Sequence, residues 1–191
     1  MGRGALAIIV TVLMSAAPRA QEDTAARMQR WATSLGVQCA YCHVDGAWTD
    51  TSKPAFDFAR RMSHMVSGLN AGPSKTGEPI TCWTCHRGQA RPARLPIAAW
   101  QKIQAEHVGD FTTPERSLAM SVYSASLGVE CTHCHELGAF SAPTKPGYAM
   151  VETMLPIFDE IQKHFADSPR KPVTQCYMCH QGQRVPERRP R

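Results

Sequence analysis

The chain has 191 residues, 43% hydrophobic, 7% aromatic and 19% charged, with a formal net charge of +5. That length suits one domain or two small fused ones, leaves no room for a multi-span membrane protein, and its ordinary apolar and charged fractions exclude wholesale disorder. The unusual counts are eight cysteines and eight histidines.

In chain order, Met1 to Ala20 reads as an export signal. Arg3 gives the charged start, and 5–17 forms a 13-residue apolar stretch, too short to span a membrane comfortably. Cleavage near Ala20 would deliver the chain to the periplasm; an uncleaved anchor is the alternative. No cysteine precedes Cys39, so a lipid anchor is not expected. Without Arg3 and Arg19 the chain carries 19 basic against 16 acidic residues, a net of +3. That is too mild to imply nucleic-acid binding.

The first helix is expected near Thr24–Leu35, stopped by Gly36 as a left-handed cap. It carries Met28 and leads into Cys39-Ala40-Tyr41-Cys42-His43. A longer helix starts at Pro54 and runs to about Leu69, because Phe58, Met62, Met65, Val66 and Leu69 follow a helical period. A loop then leads to Cys82-Trp83-Thr84-Cys85-His86. Residues 95–113 read as a linker. The next helix, near Pro114–Leu127, carries Met120, stops at Gly128 and leads into Cys131-Thr132-His133-Cys134-His135. Another helix starts at Pro146. Pro156 lacks a backbone donor and should kink or break it near Met154. The chain closes with Cys176-Tyr177-Met178-Cys179-His180 and a short basic tail. Strand signals are weak.

All eight cysteines thus fall in four Cys-x-x-Cys pairs, each followed by histidine, which is the c-type haem attachment pattern. Two sulfurs three residues apart can bond the two vinyl groups on one porphyrin edge, and the next residue swings under the ring as the proximal iron ligand. Zinc binding, thioredoxin-like redox pairs and plain disulfides each use paired cysteines, but none requires a histidine after every pair. Four covalent haems are therefore expected on Cys39/Cys42, Cys82/Cys85, Cys131/Cys134 and Cys176/Cys179, with His43, His86, His135 and His180 as proximal ligands.

A shift of 92 residues overlays the chain on itself. Ser34-Leu35-Gly36-Val37 meets Ser126-Leu127-Gly128-Val129, and Lys53-Pro54 meets Lys145-Pro146; at a shift of 94, Gly88-Gln89 meets Gly182-Gln183. The expected architecture is mainly α: a duplicated two-haem unit, 21–94 and 114–191, of short helices and long loops packed around the porphyrins. With so few residues per haem, the porphyrins themselves should form much of the core, and folding should depend on them.

The sixth ligand sets each iron's potential and decides between electron transfer and catalysis. Met28 and Met120 both lie 15 residues before their proximal histidines, so they are the candidates for the haems of His43 and His135. Met62 and Met65 compete for the haem of His86. For the haem of His180 the repeat points to Met154, with His64, His107, His164 or an open position as alternatives. Core packing is the competing role for every helical methionine.

The motif Met…Ser-Leu-Gly-Val-x-Cys-x-x-Cys-His, the Lys-Pro-started helix with Ala59-Arg60-Arg61-Met62-Ser63-His64-Met65-Val66-Ser67-Gly68-Leu69-Asn70, and Cys-x-x-Cys-His-x-Gly-Gln resemble the tetrahaem cytochrome subunit of purple-bacterial photosynthetic reaction centres. The resemblance covers nearly all of the mature chain. It implies helices wrapped around four haems in a row, with Met28, Met65 and Met120 as axial ligands. Family members are longer and usually carry a lipidated cysteine. They often ligate the fourth haem with a histidine whose place here is about Thr76. Compact relatives from non-phototrophs fit the residues equally well.

The function implied is electron transfer between redox protein partners, such as a membrane-bound reaction centre or oxidoreductase, with no enzymatic step. Methionine–histidine ligation favours high potentials and leaves no site for substrate. The alternatives are a multihaem oxidoreductase with one open haem, and a subunit of a conductive filament.

Overall fold

The computed structural model describes residues 23–72, 78–106, 114–167 and 175–188. Within them lie seven α-helices, two short 3-10 turns and no strand: α1 (Thr24–Leu35), α2 (Pro54–Ala71), α3 (Cys82–His86), α4 (Ile97–Glu106), α5 (Pro114–Leu127), α6 (Pro146–His164) and α7 (Tyr177–His180). The expected signal segment lies outside the described residues, as do Thr76 and His107. No helix of the described residues is long and apolar enough to cross a membrane.

Local chemistry sets the helix ends. The Asp23 side chain accepts from the Ala25 amide at 3.1 Å and so starts α1. Gly36 stops it in the left-handed conformation (φ 64°, ψ 36°), its N–H turned back to the carbonyls of Ala32 and Thr33. α2 and α6 each begin with proline after an extended lysine, where the missing amide costs nothing. Asp57, in the first turn of α2, pairs with Arg60 and Arg61, both at 2.8 Å.

α2 and α6 pack together around a small core of Met65, Leu69, Ile161 and Phe165, flanked by Phe58, Met62, Val66, Ile80 and Ile157. The Phe58 and Phe165 rings stand 5.3 Å apart. Of the kink or break expected near Met154, the break does not occur: α6 continues through the proline to His164. Burial of Ile161 and Phe165 beyond it, with Ile157 packed alongside, outweighs the lost backbone bond. The segment read as a linker holds a helix, α4, anchored by the buried Ile103 and packed on α5.

The smaller helices form a row. α1 packs on α3, α3 on α7, and α7 on α5. The contacts at its two ends match. Gly88 donates its N–H to Ser34 O at 2.8 Å, and Gly182 donates to Ser126 O at 2.9 Å. Ser34 and Ser126 are buried there. A β-carbon on Gly36 would lie 2.0 Å from Gly88 O; one on Gly128 would lie 2.1 Å from Gly182 O. Only glycine fits at either crossing.

Candidate haem-binding site

Each Cys-x-x-Cys-His motif folds as a single tight turn. In the first and third, Cys39–Tyr41 and Cys131–His133 are 3-10 turns. The histidine amide then donates to the carbonyl of the first cysteine, 3.0 Å for both His43 and His135. In the second and fourth, α3 and α7 supply the turn, with His180 N–H donating to Cys176 O at 3.1 Å. Positions i, i+3 and i+4 share one face of such a turn. Both sulfurs and the imidazole of each motif therefore point to the same side.

Two lysines close the first type of motif. Lys53 Nζ donates to Ala40 O, and Lys145 Nζ donates to Thr132 O. Aromatic rings box the imidazoles. Trp48 and Phe56 stand 5.8 and 5.4 Å from the His43 ring. Phe140 and Tyr148 stand 5.6 and 5.7 Å from His135. The second type of motif ends instead on a residue with positive φ, Arg87 (47°) or Gln181 (49°).

The histidine tautomers follow from their partners. Nδ1 faces a backbone carbonyl at Trp48 (2.8 Å) for His43, at Gln89 (2.9 Å) for His86 and at Gln183 (3.0 Å) for His180. A carbonyl only accepts, so Nδ1 carries the proton and Nε2 keeps a free lone pair. This is the second-shell arrangement that orients an imidazole toward a metal. Nδ1 of His135 is buried without a hydrogen-bond partner. Burial pushes the His86 and His180 rings below the ordinary histidine value and thus keeps them neutral. Burial pushes the thiols of Cys42, Cys82, Cys134 and Cys176 up, so these sulfurs rest as thiols.

Cys85 and Cys179 meet across the α3–α7 contact as a disulfide, with Cα atoms 4.3 Å apart. The other six cysteines are unbridged. A sulfur in a disulfide cannot form a thioether, so this bridge and haem attachment through these two cysteines exclude each other.

The candidate sixth ligands spread over the long helices. Met28 on α1 and Met62 and Met154 on α2 and α6 are half-buried, Met65 is buried in the α2–α6 core, and Met120 on α5 is 45% exposed. His64 is exposed, and the half-buried His164 stacks edge-on to Phe165 at 5.2 Å. Large apolar side chains such as Trp48, Phe140, Met150 and Leu155 remain exposed, which is surface a porphyrin would cover. The donor sets, the tautomers and this uncovered apolar surface fit c-type haem.

Three features escaped the sequence reading. Lys53 and Lys145 were visible as repeats but not as carbonyl caps. The ring pairs Trp48/Phe140 and Phe56/Tyr148 recur at the same 92-residue shift, so that signal was available. Arg87 and its partners 92 and 94 residues away carried no local signal.

Helical elements and haem-type Cys-x-x-Cys-His turns define a c-type cytochrome. The model of one family, the photosynthetic reaction centre cytochrome C subunit, matches residues 9–113. The chain belongs to that family, and a cytochrome of c type implies covalently bound haem. The photosynthetic reaction center cytochrome c subunit of Thermochromatium tepidum is 40% identical over 66 residues, 32% of this chain and 15% of the relative. Its counterpart in Rubrivivax gelatinosus is 24% identical over 155 residues, 54% of this chain and 42% of the relative. The chain spans less than half the length of these curated relatives.

Proposed function

We propose that the protein is an exported, periplasmic tetrahaem cytochrome, a duplicated two-haem unit that relays electrons between redox partners. The observation that carries this reading is the imidazole geometry: at three motifs a backbone carbonyl fixes the proton on Nδ1 and leaves Nε2 for iron. Bound haem would supply a one-electron ferric/ferrous couple.

The chain's own residues do the rest. The cysteines hold each ring through thioethers, with Cys85 and Cys179 bound in this way in the mature protein rather than to each other. His43, His86, His135 and His180 act as neutral proximal ligands. Met28, Met65 and Met120, with Met154 for the last, supply soft sulfur ligands that favour high potentials and leave no vacancy for substrate. The row α1–α3–α7–α5 brings the second and fourth motifs together in its middle, with the helices that lead into the first and third motifs on either side. The partners at the ends are redox proteins, one of them a membrane-bound reaction centre or oxidoreductase.

Low-temperature spin resonance during a redox titration of the purified protein tests this. Four low-spin irons, none binding carbon monoxide, are expected. A high-spin iron that binds carbon monoxide would point instead to an oxidoreductase with an open haem.

A further inference from the structure

Arg87 is the most unusual side chain near the motifs. It sits in the left-handed region, where an L-residue is strained, yet it is not glycine. Its side chain is only 9% exposed. It reaches out of its own motif into the fourth. Nη2 donates to Cys179 O at 2.6 Å and Nη1 donates to Gln181 Oε1 at 3.2 Å. Nε is buried with no hydrogen-bond partner. Among the described residues its counter-charge is Glu187 Oε2 at 3.7 Å, on a side chain that is 52% exposed.

A buried positive charge is costly unless it is compensated. Solvent screens half-exposed Glu187, so it offsets only part of that charge. The equivalent backbone slot in the fourth motif holds Gln181, which is neutral and donates to Met178 O at 3.4 Å within its own turn. A full charge is therefore lent in one direction, from the second motif to the residue preceding His180.

We propose that Arg87 is a positioning residue that sets the reduction potential of the haem that His180 would hold, raising it through a buried cation bonded to the carbonyl next in sequence to that histidine, since a ferric iron there would carry one more positive charge than a ferrous one. This rests on the proposed attachment at Cys176, Cys179 and His180. The cation disfavours the ferric state and favours the ferrous one. Because the guanidinium is buried, the effect resists salt, unlike that of a surface charge.

The test is a spectroelectrochemical titration of the holoprotein and four variants, the three at Arg87 and Glu187 each first checked by mass for the full haem complement. A wild type lacking that complement overturns the attachment reading itself. With haems present, Arg87→Gln should lower one midpoint, the same one that is absent from a His180→Gly variant. Arg87→Lys keeps the charge and should restore most of the shift. Glu187→Gln removes the counter-charge and should raise that midpoint. The Arg87→Gln shift should persist at high salt. The inference is overturned if Arg87→Gln moves no midpoint or moves all of them together. Should Arg87→Gln not fold, Glu187→Gln decides alone: a midpoint that stays or falls refutes the inference.

Discussion

Replacing Gly36 by alanine probes the contact that holds the Met28 helix against the second haem motif. Gly36 has φ 64°, and its β-carbon would lie 2.0 Å from Gly88 O, where ordinary contact begins at 3.4 Å. The two backbones must part by roughly 1.4 Å, which breaks the 2.8 Å bond from Gly88 N–H to Ser34 O. Left-handed strain costs about 1 kcal/mol, and loss of a hydrogen bond at a buried group costs about 2 kcal/mol more. Gly46→Ala is the control. Its φ is 71° but nothing lies within 4 Å of the added carbon, so only the strain remains. For a chain of this size, about 3 kcal/mol should lower the melting temperature of the holoprotein by about 10 °C, and about 1 kcal/mol by about 3 °C. Gly36→Ala should also weaken methionine ligation at the first haem, because α1 carries Met28. Equal melting points for the two variants would refute the argument that this crossing is sterically closed.

Pro156→Ala restores a helix amide at an exposed position of α6. The gain of up to about 3 kcal/mol, less about 1 kcal/mol for a looser unfolded chain, predicts stabilisation near 2 kcal/mol in chemical denaturation; destabilisation would show that the proline is needed there. Met120→Ala should leave one iron five-coordinate and able to bind carbon monoxide, whereas an unchanged spectrum would return Met120 to a packing role. Burial holds His86 and His180 below the ordinary value of 6.5, so below that pH the unfolded chain binds protons that the folded chain does not. In the haem-free chain their contribution to stability is present above pH 6.5 and is lost as pH falls toward their folded values, so melting of that chain at pH 5 should come earlier than at pH 7.5, a difference that iron ligation of both rings removes. A melting point flat across that range would contradict their burial as neutral rings.

Much of the secondary structure was legible because its determinants are local. Gly36 and Gly128 stop helices, Pro54 and Pro146 start them, and α1 and α5 fall where these signals put them. The motif turns were legible because their spacing is itself the geometry. What the sequence hid was long-range or overridden. Pro156 obeys a local rule that the packing of Ile157, Ile161 and Phe165 defeats. α4 lies within 95–113, which the sequence reads as a linker. The meeting of Cys85 with Cys179, and of Arg87 with Cys179 O, joins residues more than 90 positions apart, which no periodicity reports.

The most direct test of the account is the intact mass of the exported protein, made alongside a working haem-maturation system and denatured before measurement. The account predicts a chain without residues 1–20 that carries four covalently bound haems and no free thiol. Bare cysteines, or a retained Cys85–Cys179 disulfide with fewer than four haems, would contradict it.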